Sequence, residues 1–169
     1  TDITRFLWDD DIYKNFYAVN QYLMDNNKIN ELGDNRGIYV KGVTLLKEDS
    51  DAYKTLKPAN RKKFDVITVA APDLRKFGTL SKAERKEIMK SRIKLIFDMA
   101  RHNNVDTLGF GAFGCGVFAW DPNEVADICK ELLETENYKK CFKNVIFNVY
   151  DKKAPVNYNA FQDKFGHKS

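Results

Sequence analysis

Four glycines fall within eight residues, Gly109, Gly111, Gly114 and Gly116, in the run TLGFGAFGCGVFAWDPNEVADICKELL from 107 to 133. Glycine tolerates positive φ and lets backbone N–H groups approach a ligand with no Cβ in between. Successive N–H groups turned into a concavity form a nest for an anion, phosphate above all. The same glycines also read as a strand-to-helix turn that holds nothing, and glycine content alone leaves both readings open.

Known glycine motifs do not fit. There is no G-x-x-x-x-G-K-S/T, so the loop is not a P-loop, and no G-x-G-x-x-G follows a first strand. DPNE, 121 to 124, supplies Asp121 as N-cap, Pro122 at the first helical position and Glu124 near the helix start. Acids therefore occupy the helix N-terminus, and a phosphate is expected one step earlier, on the amides around 114 to 118. Of the flanking rings Phe113 and Phe118, one is expected in the core and the other over the sugar or phosphate. Cys115 sits between two glycines, while the chain has only two histidines, His102 and His167. With no base in sight it reads as a small loop residue rather than a nucleophile.

The elements that must position this loop follow from periodicity. GDNRG, 33 to 37, is a turn, and GIYVKGVTLLKE, 37 to 48, alternates as an edge strand. Residues 49 to 63 form a loop; FDVITVAAPDL, 64 to 74, is a buried strand ending near Pro72. Ser81 and Glu84 make a capping box for a helix whose apolar face carries Met89, Ile93, Ile96, Phe97 and Ala100. VDTLGFGAF and KNVIFNVYD, 143 to 151, are two more buried strands, with the NEVADICKELLE helix between them. Phe161 and Phe165 mark a closing helix. Alternation of strand and helix predicts an α/β fold with a mostly parallel central sheet. Residues 1 to 35 read as a helical or irregular lead-in and 36 to 169 as the α/β core of one domain.

The remaining composition excludes more than it assigns. With 43% hydrophobic and 13% aromatic residues the chain is a folded globule. Its net charge of +4 is mild, and acids interleave with the Lys and Arg residues, which argues against direct nucleic-acid binding. No apolar run approaches the roughly 18 residues of a membrane span, and no signal peptide is visible. Three cysteines without a C-x-x-C suit a reducing, intracellular, cytoplasmic setting and offer no disulfide framework or metal site. The start at Thr1 is expected to reflect processing or a cut from something longer.

GAFGCGVFAWDPNEVA, 111 to 126, resembles the second phosphate-binding loop and following helix of microbial-type poly(ADP-ribose) glycohydrolases, which are macrodomains. VITVAAPDL resembles that family's strand ending in Ala-Pro, and KNVIFNVYDKKAPVNYNAF its last strand. The resemblance covers about residues 36 to 165. It implies a three-layer α/β/α macrodomain whose partner is ADP-ribose, free or on modified protein, with no cofactor and no metal. The implied binding residues are Gly111, Ala112, Phe113, Gly114, Cys115, Gly116, Val117 and Phe118, with Ala71 and Pro72 beside them. Tyr150 and Asp151 either border the adenine or form a tyrosine packed under the tail beside an exposed aspartate.

The family's catalytic Gly-Gly-Gly and Gln-Glu-Glu have no counterpart here: the chain holds no Gly-Gly pair and no Gln-Glu-Glu. Two explanations stand, a catalytic half that lies elsewhere or a lineage that binds without hydrolysing. Asp2 and Asp9 to Asp11 read as solvated acids rather than replacements, and Glu48, Glu84 and Glu87 are given no role. The family chemistry is cleavage of a ribose glycosidic bond, with a glutamate protonating the departing oxygen. A sheet incomplete at its N-terminal side is expected to be filled by a separate fragment or partner chain.

Overall fold

The computed structural model describes residues 37–48, 52–76, 80–150 and 155–166. The expectations for residues 1 to 36, and for Asp151, fall outside the described residues. Among the described residues the chain divides into two compact units, one holding Ile38–Thr68 and the other Gly37 and Val69 onward.

In the first unit, β1 (Gly37–Thr44) pairs with β2 (Lys63–Val69). Val43 and Val66 are buried together, with Val40 against them, as β-branched side chains on one pleated face do. The Leu45 amide donates to the Lys62 carbonyl at 2.8 Å, so the end of β1 meets the start of β2. Asp65 fastens the pair from the other side: Oδ1 accepts from the Gly42 amide at 2.8 Å and Oδ2 from the Tyr39 hydroxyl. Burial, then the hydrogen bond to Asp65, pushes the Tyr39 hydroxyl up to about 12. The connecting segment expected as plain loop is more ordered than that. Lys47 and Thr55 form an antiparallel bridge, and Pro58–Asn60 is a turn of 3₁₀ helix.

In the second unit, α1 (Lys82–His102) begins at the expected capping box, Ser81 accepting from the Glu84 amide and Glu84 from the Ser81 amide. Met89, Ile93, Ile96, Phe97 and Ala100 are buried as the periodicity requires, and Arg92 joins them. The helix ends where Asn104 turns left-handed, φ 56°, while Val105 N–H returns to Ala100 O and Asn104 N–H to Arg101 O. This is a Schellman stop with asparagine in the glycine position.

β3 (Thr107–Phe110) and β4 (Asn144–Phe147) run parallel, Thr107 opposite Asn144 and Phe110 opposite Phe147. A parallel pair needs a crossover, and α2 (Pro122–Leu133) lies on it. α3 (Pro155–Phe165) closes the unit and packs on α2, which packs on α1. The architecture is α/β, as the alternation of elements predicts.

The expectation that these two strands are buried holds for one face only. Leu108 and Phe110 are buried while Thr107 and Gly109 are exposed, and across the pair Ile146 is 50% exposed. One face alone receives aromatic partners. Phe110 meets Phe97 of α1 at 5.9 Å between centroids, and Phe147 meets Phe165 of α3 at 4.2 Å. Phe97 also meets Tyr138 and Phe142 edge-on, so a chain of rings is the core of this unit.

Candidate functional site

The glycine loop follows β3 directly, so the strand fixes its origin and α2 its exit. Asn148 N–H donates to Phe110 O at 2.7 Å, tying the strand end to the residue after β4. From there the chain folds on itself. Phe113 N–H bonds Gly111 O, Cys115 N–H bonds Ala112 O, Ala119 N–H bonds Gly116 O, and Trp120 N–H closes back to Gly114 O at 3.2 Å. Two left-handed residues make the reversals, Gly114 at φ 76° and Ala119 at φ 62°.

Gly114 is required twice over. Besides its φ, a Cβ there would stand 2.8 Å from Trp120 Cδ1 and 3.1 Å from Met89 Cε. Gly116 differs: it needs no left-handed φ, and a Cβ would meet nothing within 4 Å. Among the described residues, the amides of Gly116, Val117 and Phe118 find no acceptor, whereas those of Phe113, Cys115, Ala119 and Trp120 do. Gly116 and Val117 are exposed, Val117 to 72%. Preorganised amide donors of this kind hold anionic oxygens without titrating.

The loop is anchored to the segment after β2. Trp120, almost wholly buried, donates Nε1–H to Pro72 O at 2.7 Å. Leu74 N–H donates to Phe118 O at 3.2 Å. Arg75, held in a two-pronged pair by Asp73, lies 5.8 Å from the centroid of the Phe118 ring. Behind them the buried Arg92 guanidinium donates to Ala70 O. The structure thus brings Pro72 against Trp120 and Leu74 against Phe118.

Asp121 caps α2 by accepting from Asn123 N–H at 2.8 Å, with Pro122 at the first position and Glu124 in the first turn. Glu124 lies 3.8 Å from Lys82 and 3.9 Å from Arg85, so the acids at this helix start are structural. Both Phe113 and Phe118 are half-buried, where a split between core and surface was expected. Phe113 leans on Phe110 at 6.0 Å, and Phe118 lies against Arg75. Burial, then the nearby Asp121 charge, pushes the Cys115 thiol up to about 12. It stays protonated and weakly nucleophilic at neutral pH. Tyr150 is 70% exposed, so it does not pack under the tail.

Sequence reasoning missed Trp120, Leu74, Arg75 and Arg92. Arg92 carried a signal: it falls on the apolar stripe at i+3 from Met89 and i−4 from Ile96, where a charged residue must find a buried partner. Among the described residues no three His, Cys, Asp or Glu are grouped to hold a metal, and no helix is long and apolar enough to cross a membrane.

No family model matches the chain, and no curated protein matches it significantly. Solved structures do match. The crystal structure of poly(ADP-ribose) glycohydrolase from Thermomonospora curvata bound to the inhibitor ADP-HPD is 29% identical, with a TM-score of 0.79 over 90% of this chain and 58% of that one. Another structure of that enzyme is 28% identical, TM-score 0.74, over 90% of this chain and 53% of that one. Poly(ADP-ribose) glycohydrolase from Deinococcus radiodurans in complex with ADP-ribose is 26% identical, TM-score 0.71, over 89% and 58%. The chain therefore spans just over half the length of the structures it matches. Over that span the chain is similar in fold and in sequence to these microbial poly(ADP-ribose) glycohydrolases.

Proposed function

We propose that this chain holds ADP-ribose, its diphosphate on the amides of Gly116, Val117 and Phe118, and that it serves a glycohydrolase cleaving a ribose glycosidic bond. One observation carries the reading. Three successive N–H groups lack an acceptor among the described residues, beginning at a glycine that neither φ nor packing demands. A ligand oxygen that must come close to the backbone gives Gly116 its reason. The proteins it resembles support the choice of ligand, being poly(ADP-ribose) glycohydrolases seen with ADP-ribose or ADP-HPD.

In this arrangement Gly111 to Phe118 cradle the diphosphate, Ala71 and Pro72 wall the cleft, and Tyr150 and Asp151 border the adenine. The loop orients the distal ribose, and backbone donors do so at no reorganisation cost. Hydrolysis further requires a carboxylic acid to protonate the departing oxygen while water attacks an oxocarbenium-like carbon. No described residue is assigned that role.

A second reading, a module that binds ADP-ribose or ADP-ribosylated protein without hydrolysing it, is favoured by the lack of any Gly-Gly pair or Gln-Glu-Glu in this sequence. Titration calorimetry with ADP-ribose tests the shared premise. Wild-type protein should bind, and Gly116→Val should lose at least tenfold in affinity with its melting temperature unchanged. Equal affinity in both would remove the loop from the site. Release of ADP-ribose from modified protein then separates glycohydrolase from reader.

A further inference from the structure

Four consecutive residues after β2, Pro72 to Arg75, form a clip on the far end of the glycine loop. Pro72 O accepts from Trp120 Nε1–H, and Leu74 N–H donates to Phe118 O. Between them Asp73 holds Arg75 at two points, Oδ1 accepting Nε–H at 2.8 Å and Oδ2 accepting from Nη2 at 2.7 Å. Oδ1 also takes the Arg75 backbone N–H at 3.1 Å. The guanidinium so fixed lies 5.8 Å from the centre of the Phe118 ring. Phe118 is therefore gripped by its carbonyl and by its ring from the same short segment.

The Arg75 side chain is 53% exposed and that of Asp73 only 12%. An ion pair so open to water adds little stability. What its two-pronged geometry supplies is direction: a solvated arginine is turned onto one ring. The residue after that ring is Ala119, at φ 62°, a left-handed conformation that a side chain adopts at a cost. Such a residue persists only where its neighbours over-determine it. Its two neighbours, Phe118 and Trp120, are the residues that the clip holds.

We infer that Arg75 is a positioning residue for the anion site: pinned by Asp73, it holds the Phe118 ring and so keeps the amides of Gly116, Val117 and Phe118 aimed before the diphosphate arrives. The inference rests on the ADP-ribose reading above and gives Arg75 no contact with the ligand. Because the Asp73 carboxylate offsets its charge, the pair adds order rather than attraction, and order in advance lowers the cost of binding.

Two variants separate order from attraction. Arg75→Lys keeps the positive charge but cannot form the fork, and Asp73→Asn keeps the side-chain shape but frees the arginine's charge. ADP-ribose affinity is measured by titration calorimetry, and ¹⁵N relaxation of the 116 to 118 amides is followed in the ligand-free proteins. Each variant should bind ADP-ribose about fivefold more weakly than wild type. The three amides should gain motion before any ligand is added. Arg75→Lys, at an exposed side chain, should melt with the wild type, so it carries the test if Asp73→Asn is unstable. Affinity kept in Arg75→Lys, or raised in Asp73→Asn, would overturn the inference, since charge alone would then account for Arg75. Weaker binding with unmoved amides would also overturn it, by making Arg75 a direct ligand. Absence of ADP-ribose binding by the wild type would sink the glycine-loop reading and this inference with it, whereas equal binding by all three proteins would sink this inference alone.

Discussion

Replacing Gly114 by alanine tests whether the loop is built as described. The residue sits at φ 76°, where an L side chain costs about 1–2 kcal/mol. The new Cβ would also stand 2.8 Å from Trp120 Cδ1. Trp120 has nowhere to retreat: it is 2% exposed and its indole N–H is fastened to Pro72 O. Met89 Cε, at 3.1 Å, is the end of a flexible side chain and can give way. Overpacking of this kind costs about 1–3 kcal/mol. Together these give about 2–5 kcal/mol, which lowers the melting temperature by roughly 5–15 °C in a chain of this length. The control is Gly116→Ala, whose Cβ meets nothing within 4 Å and which should stay within about 0.5 kcal/mol of wild type. Thermal unfolding followed by circular dichroism reads both. If Gly114→Ala melts within about 2 °C of wild type, the left-handed turn against Trp120 is wrong.

Three further outcomes follow from the same contacts. Trp120→Phe leaves the buried Pro72 carbonyl without its donor and should cost about 1–3 kcal/mol by urea unfolding, while the adjacent Phe118–Leu74 bond survives. Asp98 titrates low: burial works to raise it, but hydrogen bonds from Lys94 and Tyr138 and the charges of Lys94 and Arg101 outweigh that. Its contribution is thus full above the ordinary aspartate range and fades as pH falls through the lowered value, so Asp98→Asn should lose stability at pH 7 and converge with wild type in acid. Cys115, with its thiol pushed up to about 12, should react with iodoacetamide at pH 8 far more slowly than a free thiol. Alkylation at the free-thiol rate would mean that Cys115 is not buried as described.

The second unit was largely readable because its signals are local. Ser81 and Glu84 stand three apart, the apolar face of α1 repeats at helical spacing, and Asp121–Pro122 announces α2; each is settled within one turn of chain. The turn at 111 to 118 between β3 and α2 was legible for a similar reason, since clustered glycines between an apolar run and a helix cap mark a strand-to-helix turn. What escaped was what lies far apart in sequence. Nothing near Trp120 says that its indole would seek a carbonyl 48 residues upstream, or that Leu74 would meet Phe118. The burial of β3 and β4 was over-read for a related reason. Short apolar runs do not reveal how many faces are covered, and Ile146 is half in solvent.

The account turns on the three amides that have no acceptor in the described structure. Titrating ¹⁵N-labelled protein with ADP-ribose and following the amide resonances tests it most directly. The predicted result is saturable downfield movement of the Gly116, Val117 and Phe118 protons, larger than at Phe113 or Cys115, whose N–H groups are already bonded within the turn. Resonances at 116 to 118 that stay still while ADP-ribose binds elsewhere, or that do not move at any concentration, would contradict it.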